Sequence, residues 1–288
     1  EDPDESPLFI TVIVCVTLSL LGSLFIVVIY LCYKDLQAIT FRLIFYMSIA
    51  DILNNITYLL PSRGASCVIQ AVGNTIFPLS SVLWTSVIAY CLRRVVIKED
   101  YELMRNERYY LLYAYGTPLL FLIPPAATGL FGYAQGWCWI KAQGDSYVLG
   151  SLLRLVCFYI PLWSVIIYNI TVYVSIIRQL NFEIQFMTED TDIRKSLVRR
   201  LVFYPIILII CYTVVTIKRV YDVIHPEETE LALTIVAWVF QSANGLLNAL
   251  AYGYSDSVKE RLCQNCNKRD RFDSNMSDDV IDLARRRS

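Results

Sequence analysis

The stretch CVIQAVGNTIFPLSSVLWTSVIAYCLRR, Cys67 to Arg94, decides the fold. From Val68 to Leu92 it carries no formal charge. It is long enough to cross a bilayer, which takes about 20 apolar residues. Yet Gln70, Asn74, Phe77, Ser81 and Thr85 fall three or four apart, so they share one helical face. A span facing lipid on all sides has no use for such a stripe. A span surrounded by other spans does, because interhelical hydrogen bonds need polar partners. The stretch is therefore expected at the centre of a helical bundle, with Cys67 at one end and Arg93 and Arg94 at the other.

Composition agrees. Of 288 residues, 56% are hydrophobic and 18% charged, and the mean hydropathy is +0.48. A soluble domain is nearer half apolar and a quarter charged, and here the excess sits in long blocks. The net charge of −1 by itself says nothing about nucleic acid; the distribution of charge is what informs, and no nucleic acid is expected as a partner. The single histidine and the absence of a close Cys/His/Asp cluster speak against a metal, and no cofactor is expected. Most of the nine cysteines lie inside apolar runs, where they read as small buried hydrophobes.

Working outward, residues 1–7 are a short acidic extracellular segment. The first span runs from Leu8 to about Tyr33, with Gly22 as a packing notch, and the second from about Leu43 to Leu60. After the central span, a charged loop (about Val95 to Arg108) leads to a fourth span, about Tyr109 to Tyr133, containing Pro118, Pro124 and Pro125. AQGWCWIKAQGDS reads as a loop. The fifth span is about Tyr147 to Ile177 with Pro161, the sixth about Leu201 to Ile224 with Pro205, and the seventh about Leu231 to Tyr254. The fold expected is an all-α membrane protein, a seven-transmembrane helix bundle over residues 8–254. Residues 255–266 read as a short amphipathic helix after span seven, and 267–288 as a polar cytosolic tail without a core.

Seven spans put the termini on opposite sides. Twenty of the 25 Lys and Arg fall in the connectors after spans one, three and five, in the tail, or in the adjoining span ends. The other five are Arg63, Lys141, Arg154, Lys218 and Arg219. The positive-inside rule places the N-terminus outside.

Four groups of residues then carry chemistry. Cys67 and Cys138 both lie on the outer, oxidising side, where they form either a disulfide or two free buried thiols. Asp51 sits mid-span, where an ionisable group is costly unless it faces the interior or water. Asn244 and Asn248 share a face of span seven. With Asp51 they make a polar network, an ion or proton path, or a packing node. Arg154, Lys218, Arg219 and Asp222 fall in the outer halves of spans five and six. Lys218 and Asp222 are four apart and suited to pair, whereas Arg154 has no acidic neighbour within a turn. Cations inside an outward-opening bundle attract a carboxylate or phosphate, although snorkelling to headgroups explains them too. Cys263 and Cys266, just past the last span, are palmitoylation candidates or free thiols. No HExxH, GxSxG or P-loop is present, so no enzyme is expected. Span seven holds no lysine, which excludes a retinal Schiff base there.

The phrase SIADIL (Ser48–Leu53), with seven spans in this orientation, resembles a G-protein-coupled receptor. The CxxQ start at Cys67, the SSxxWT at Ser80–Thr85, GWCWI at Gly136–Ile140, FYPIILIICY in span six and QSANGLLNALAYG in span seven narrow the likeness. They resemble the slime-mould cyclic AMP receptor-like family and its animal orphan relatives, over about residues 8–262. The resemblance implies a Cys67–Cys138 disulfide and places Asp51 at the acidic position of span two. Asn248 and Tyr252 fall where the rhodopsin-like class has asparagine-proline-x-x-tyrosine, with Ala249 in place of the proline. AYCLRR replaces aspartate-arginine-tyrosine, so no such ionic lock is assigned to Arg93 or Arg94.

The resemblance implies a plasma-membrane, multi-pass receptor in contact with membrane lipids. It is expected to bind a small extracellular ligand, anionic and cyclic AMP-like, among Gln70, Asn74, Phe77, Arg154, Lys218, Arg219 and Asp222. Coupling to a heterotrimeric G protein is expected through Arg93, Arg94, Arg199, Arg200 and Tyr252, with span six hinged near Pro205. The competing class is an ion-coupled transporter or channel using Asp51 as its intramembrane site.

Overall fold

In a computed structural model the chain is a helical bundle, described over residues 5–34, 37, 39–98, 100, 102–134, 137–183, 198, 201–225, 230–254 and 258–259. The segments expected at 255–266 and 267–288 lie almost wholly outside the described residues, as do Arg199, Arg200, Cys263 and Cys266. Among the described residues five helices are long and apolar enough to cross a membrane. They are α1 (Ile10–Cys32 of Glu5–Cys32), α3 (Gly64–Lys98), α4 (Glu107–Ala127), α5 (Gly144–Asn181) and α6 (Phe203–Ile224). A sixth, α7, is the pair Leu231–Ser242 and Asn244–Gly253, bent by 42°. The remaining element, α2 (Ile39–Tyr58), carries Arg42 and Asp51 and packs against both α1 and α3.

The central position expected for the Cys67–Arg94 stretch is what the structure has. In α3, 83% of the most apolar window is buried, against 28% in α1. Trp84 is fully buried, stacked on Tyr46 of α2 at 5.2 Å and edge-on to Tyr115 of α4 at 5.7 Å. The residues of α1 that remain exposed, such as Leu18, Leu21 and Val28, are apolar and suit lipid. Where α1 meets α7 the backbones touch closely. A Cβ on Gly245 would come within 2.4 Å of Ser23 Oγ, and one on Gly22 within 3.0 Å of the Leu246 Cα.

Proline explains the irregular turns. A proline inside a helix lacks the N–H for the carbonyl four residues earlier and crowds it. The helix widens into a π-turn over Leu112–Gly116, centred on Ala114, four before Pro118. It does so again over Leu155–Tyr159, centred on Cys157, four before Pro161. Such single π-turns are common at functional sites.

Two boundaries differ from the sequence reading. Helix α4 stops at Ala127 rather than near Tyr133, because Gly129 adopts φ +65°. Its N–H returns to the Ala126 carbonyl at 3.1 Å and that of Leu130 to the Pro125 carbonyl at 3.1 Å, a glycine-terminated helix end. The chain then enters a hairpin, not a loop. Strand β1 (Phe131–Tyr133) pairs antiparallel with β2 (Cys138–Ile140). All three residues of β2 are buried, because the hairpin lies across the outer end of α3.

Candidate functional site

The outer end is built on that hairpin. Cys67 and Cys138 form a disulfide, with Cα atoms 5.3 Å apart. Beside it α3 holds both backbone groups of Cys138. The Cys138 N–H donates to Gln70 Oε1 at 2.8 Å, and Asn74 Nδ2 donates to the Cys138 carbonyl at 3.0 Å. Gln70 Nε2 also reaches the Thr57 and Leu60 carbonyls at 3.2 Å, and Thr57 Oγ1 donates to Asn74 Oδ1. Gln70 and Asn74 are thus spent on positioning the hairpin and do not line the large outer cavity, and the half-buried Phe77 does not line it either.

Two residues beyond the disulfide, the Ile140 carbonyl accepts Arg154 Nε at 2.8 Å and Nη2 at 2.6 Å. The guanidinium lies 5.3 Å from the Trp139 ring centroid. Arg219, one helix away, lies over Trp137 at 5.2 Å and Trp139 at 5.7 Å. Lys218 and Arg219 both pair with Asp222, the latter at 3.2 Å. Asp222 therefore serves two cations, while Arg154 is held by the Ile140 carbonyl. Lys218 is buried behind the others, with 7% of its side chain exposed.

Arg154, Arg219 and Asp222 border a cavity of about 1090 Å³ between α5 and α6. Its volume is at the upper end of small-molecule sites. Tyr147 closes its outer edge by donating to the Val223 carbonyl at 3.2 Å. The π-turn after Arg154 forms part of one wall, through Leu155 and Tyr159. His225, stacked on Tyr221 at 4.6 Å, completes the rim.

Midway through the bundle, Asn248 Nδ2 donates to Asp51 Oδ2 at 3.1 Å, joining α7 to α2. Ser81 of α3 lies beside Asp51. Asn244 opens the second half of α7 at its bend and makes no hydrogen bond to Asp51 among the described residues. Lower in α3, Thr85 Oγ1 accepts Asn169 Nδ2 of α5 at 2.9 Å. The α3 stripe is therefore a ladder of separate joints to β2, α2 and α5.

At the inner end, Arg93 is exposed. Arg94 is held by Asp100 and by the Tyr90 hydroxyl, the latter at 3.3 Å. The Glu102 backbone N–H, at 2.9 Å, and the Arg94 guanidinium keep the Asp100 carboxyl below the ordinary aspartate range. Tyr252, expected on the coupling face, is fully buried and lies edge-on to Phe41, ring centroids 5.4 Å apart.

Sequence reading missed the node beside it. Glu107 accepts Arg42 Nη1 at 3.2 Å and the Tyr46 hydroxyl at 2.5 Å, and Tyr115 donates to the Tyr46 carbonyl at 2.6 Å. Arg42 and Glu107 are 65 residues apart, so no local spacing signals them. The tryptophans under the cations had a signal, since GWCWI places two of them on either side of the bridged cysteine.

Comparison with known proteins gives a consistent answer. The family described as slime mold cyclic AMP receptor matches residues 3–266. A protein named G-protein coupled receptor 1 of Arabidopsis thaliana is 30% identical over 85% of this chain and 77% of its own length. Cyclic AMP receptor-like protein A of Dictyostelium discoideum is 26% identical over 83% of this chain, and the chain spans 62% of it. The crystal structure of squid rhodopsin superposes with a TM-score of 0.73, covering 92% of this chain and 86% of rhodopsin at 13% identity, a likeness of fold.

Proposed function

The chain belongs to the slime mold cyclic AMP receptor family, a family of receptors with the seven-helix fold, and from that premise we propose that it is a plasma-membrane receptor. In this reading it binds an extracellular anion at the outer ends of α5 and α6. It passes the signal to a heterotrimeric G protein by promoting nucleotide exchange. The observation that carries the reading is the cation cluster at the outer cavity, where Arg154 and Arg219 both border the space and, among the described residues, Asp222 pairs with Lys218 and Arg219 but not with Arg154. In a low-dielectric site an uncompensated guanidinium favours a carboxylate or phosphate. The relatives named cyclic AMP receptors make that nucleotide the first anion to try.

For the ligand to act it must bind the active arrangement more tightly than the resting one. The cavity suits this, because Arg154 belongs to α5 and Arg219 to α6, so an anion between them resists their separation. At the inner end, movement of α6 opens a cleft for a G-protein helix beside Arg93. The transporter reading has less support, since Asp51 is enclosed between Asn248 and Ser81 and lines neither the outer cavity nor the smaller one beside Tyr90 and Tyr168.

The test is nucleotide exchange on purified heterotrimeric G proteins, with the receptor reconstituted alone, with cyclic AMP and with a panel of small anions. Exchange that rises with an anion and is lost in Arg154→Ala supports the reading. No exchange with any G-protein class, with or without ligand, ends it.

A further inference from the structure

The outer cavity is not shaped like a well opening only to the extracellular face. It lies between α5 and α6, and its long walls are apolar side chains that point away from the bundle. Leu155, Ile160 and Val220 line it while remaining 49%, 52% and 53% exposed. In a membrane-spanning bundle, such side chains are exposed to lipid. Trp163 lines the same groove deeper along α5. The polar end is at Arg154 and Arg219. Counting from the helix ends at Tyr147 and Ile224, these lie about 8 to 10 Å in, at the depth of lipid headgroups rather than mid-bilayer. Arg154 gives Nε and Nη2 to Ile140, which leaves Nη1 without a protein partner among the described residues.

We propose that this groove admits, from the outer leaflet, a single-chain amphiphile with a phosphate or carboxylate headgroup. The headgroup sits on Arg154 and Arg219, and the chain lies along Leu155, Ile160, Trp163 and Val220. Lipid tails are as apolar as these walls, so the chain gains little by moving from bilayer to groove. The headgroup contacts supply the selectivity, and the bilayer supplies a high local concentration at the right depth. The proposal deepens the receptor reading and rests on it for any effect on signalling. Binding itself is independent of coupling.

The probe is a lysophosphatidate brominated near the chain terminus, titrated into receptor held in phosphatidylcholine nanodiscs, with tryptophan quenching as the readout. Saturable quenching is expected, weakened about tenfold or more in Arg154→Gln, which loses a charge-assisted contact. Because Arg154 also holds Ile140, a second variant, Val220→Tyr, fills the groove on its lipid-facing wall without touching a charge and is expected to abolish quenching. A brominated neutral monoacylglycerol of the same chain length is expected to quench weakly and without saturation. Equal quenching by the neutral lipid, or unchanged quenching in both variants, overturns the proposal. So does displacement of the probe by glycerol 3-phosphate or cyclic AMP at concentrations similar to the lipid's, which makes the site one for a soluble anion. Saturable quenching without G-protein exchange supports the groove and counts against the receptor reading alone.

Discussion

The Tyr173 hydroxyl of α5 donates to the Leu201 carbonyl at 2.8 Å, four residues before Pro205. That carbonyl faces a residue with no N–H to give. Pro205 itself lies in the first turn of α6, so the inner end of α6 depends on a side chain of its neighbour. We expect Tyr173→Phe to leave a buried carbonyl unsatisfied and loosen this joint by about 1 kcal/mol. If the active arrangement parts α5 from α6 here, ligand-free nucleotide exchange rises about fivefold. Exchange at the wild-type level in a folded variant would show that this joint stays closed on activation.

Gln70 and Asn74 hold Cys138 by both backbone groups, so their loss is expected in stability before signalling. Gln70→Ala strands the Cys138 N–H and costs about 1 to 3 kcal/mol. The Cys67→Ser/Cys138→Ser double variant releases a closure spanning 71 residues and costs about 4 kcal/mol. Thermal unfolding in detergent, followed by tryptophan fluorescence, should rank them in that order. A Gln70→Ala protein that unfolds at the wild-type temperature contradicts the clamp.

Asp51 and Asn248 separate the two functional classes. Asp51→Asn keeps an acceptor for the Asn248 amide and should fold, whereas Asp51→Ala leaves that amide buried and should unfold at a lower temperature. Neither form, nor the wild type, is expected to carry ions into liposomes. Flux through the wild-type protein that disappears in Asp51→Asn would favour a transporter.

Asp100 predicts a pH dependence of the inner loop. Its carboxyl is depressed by the Glu102 N–H and by Arg94. A depressed carboxyl stabilises the ordered loop fully above the unfolded value of 3.8, and the effect is lost as the pH falls through the lower folded value. Amide exchange at Glu102, corrected for its intrinsic pH dependence, should stay protected from neutral pH to near 4 and lose protection only below. Asp100→Ala, which removes the acceptor, should lose it at every pH. Protection already lost between pH 7 and 5 would mean another group governs the loop.

Close approach at Gly245 gives a steric prediction. Gly245→Val drives a side chain into Ser19 and Ser23 of α1 and should prevent folding. Gly245→Ala should be destabilised, and replacing both Ser19 and Ser23 by alanine, which removes the two nearest hydroxyl oxygens at 2.6 and 2.4 Å, should restore part of the loss. Expression and thermal unfolding of the single and triple variants check this, and a Gly245→Ala protein as stable as the wild type contradicts it.

The helical spans and the central place of α3 were legible in the sequence, which also assigns each connector a side by its Lys and Arg. Each follows from quantities that are local along the chain: apolar length against bilayer thickness, the three-to-four spacing of polar residues, and the position of Lys and Arg. Residues 67 and 138 were marked by the side they fall on and by the family likeness. The hairpin was not legible, because Phe131–Tyr133 and Cys138–Ile140 are too short to carry a strand pattern and gain their order from the disulfide and from Gln70 and Asn74. Only the tertiary structure decided which partner each polar residue of α3 would take, since a stripe says that a face is polar and not which neighbour it meets. It also decided that Arg154 of α5 and Arg219 of α6 border one cavity. That depends on how two helices far apart in sequence pack side by side, and the distance between helices is written in no single stretch of residues.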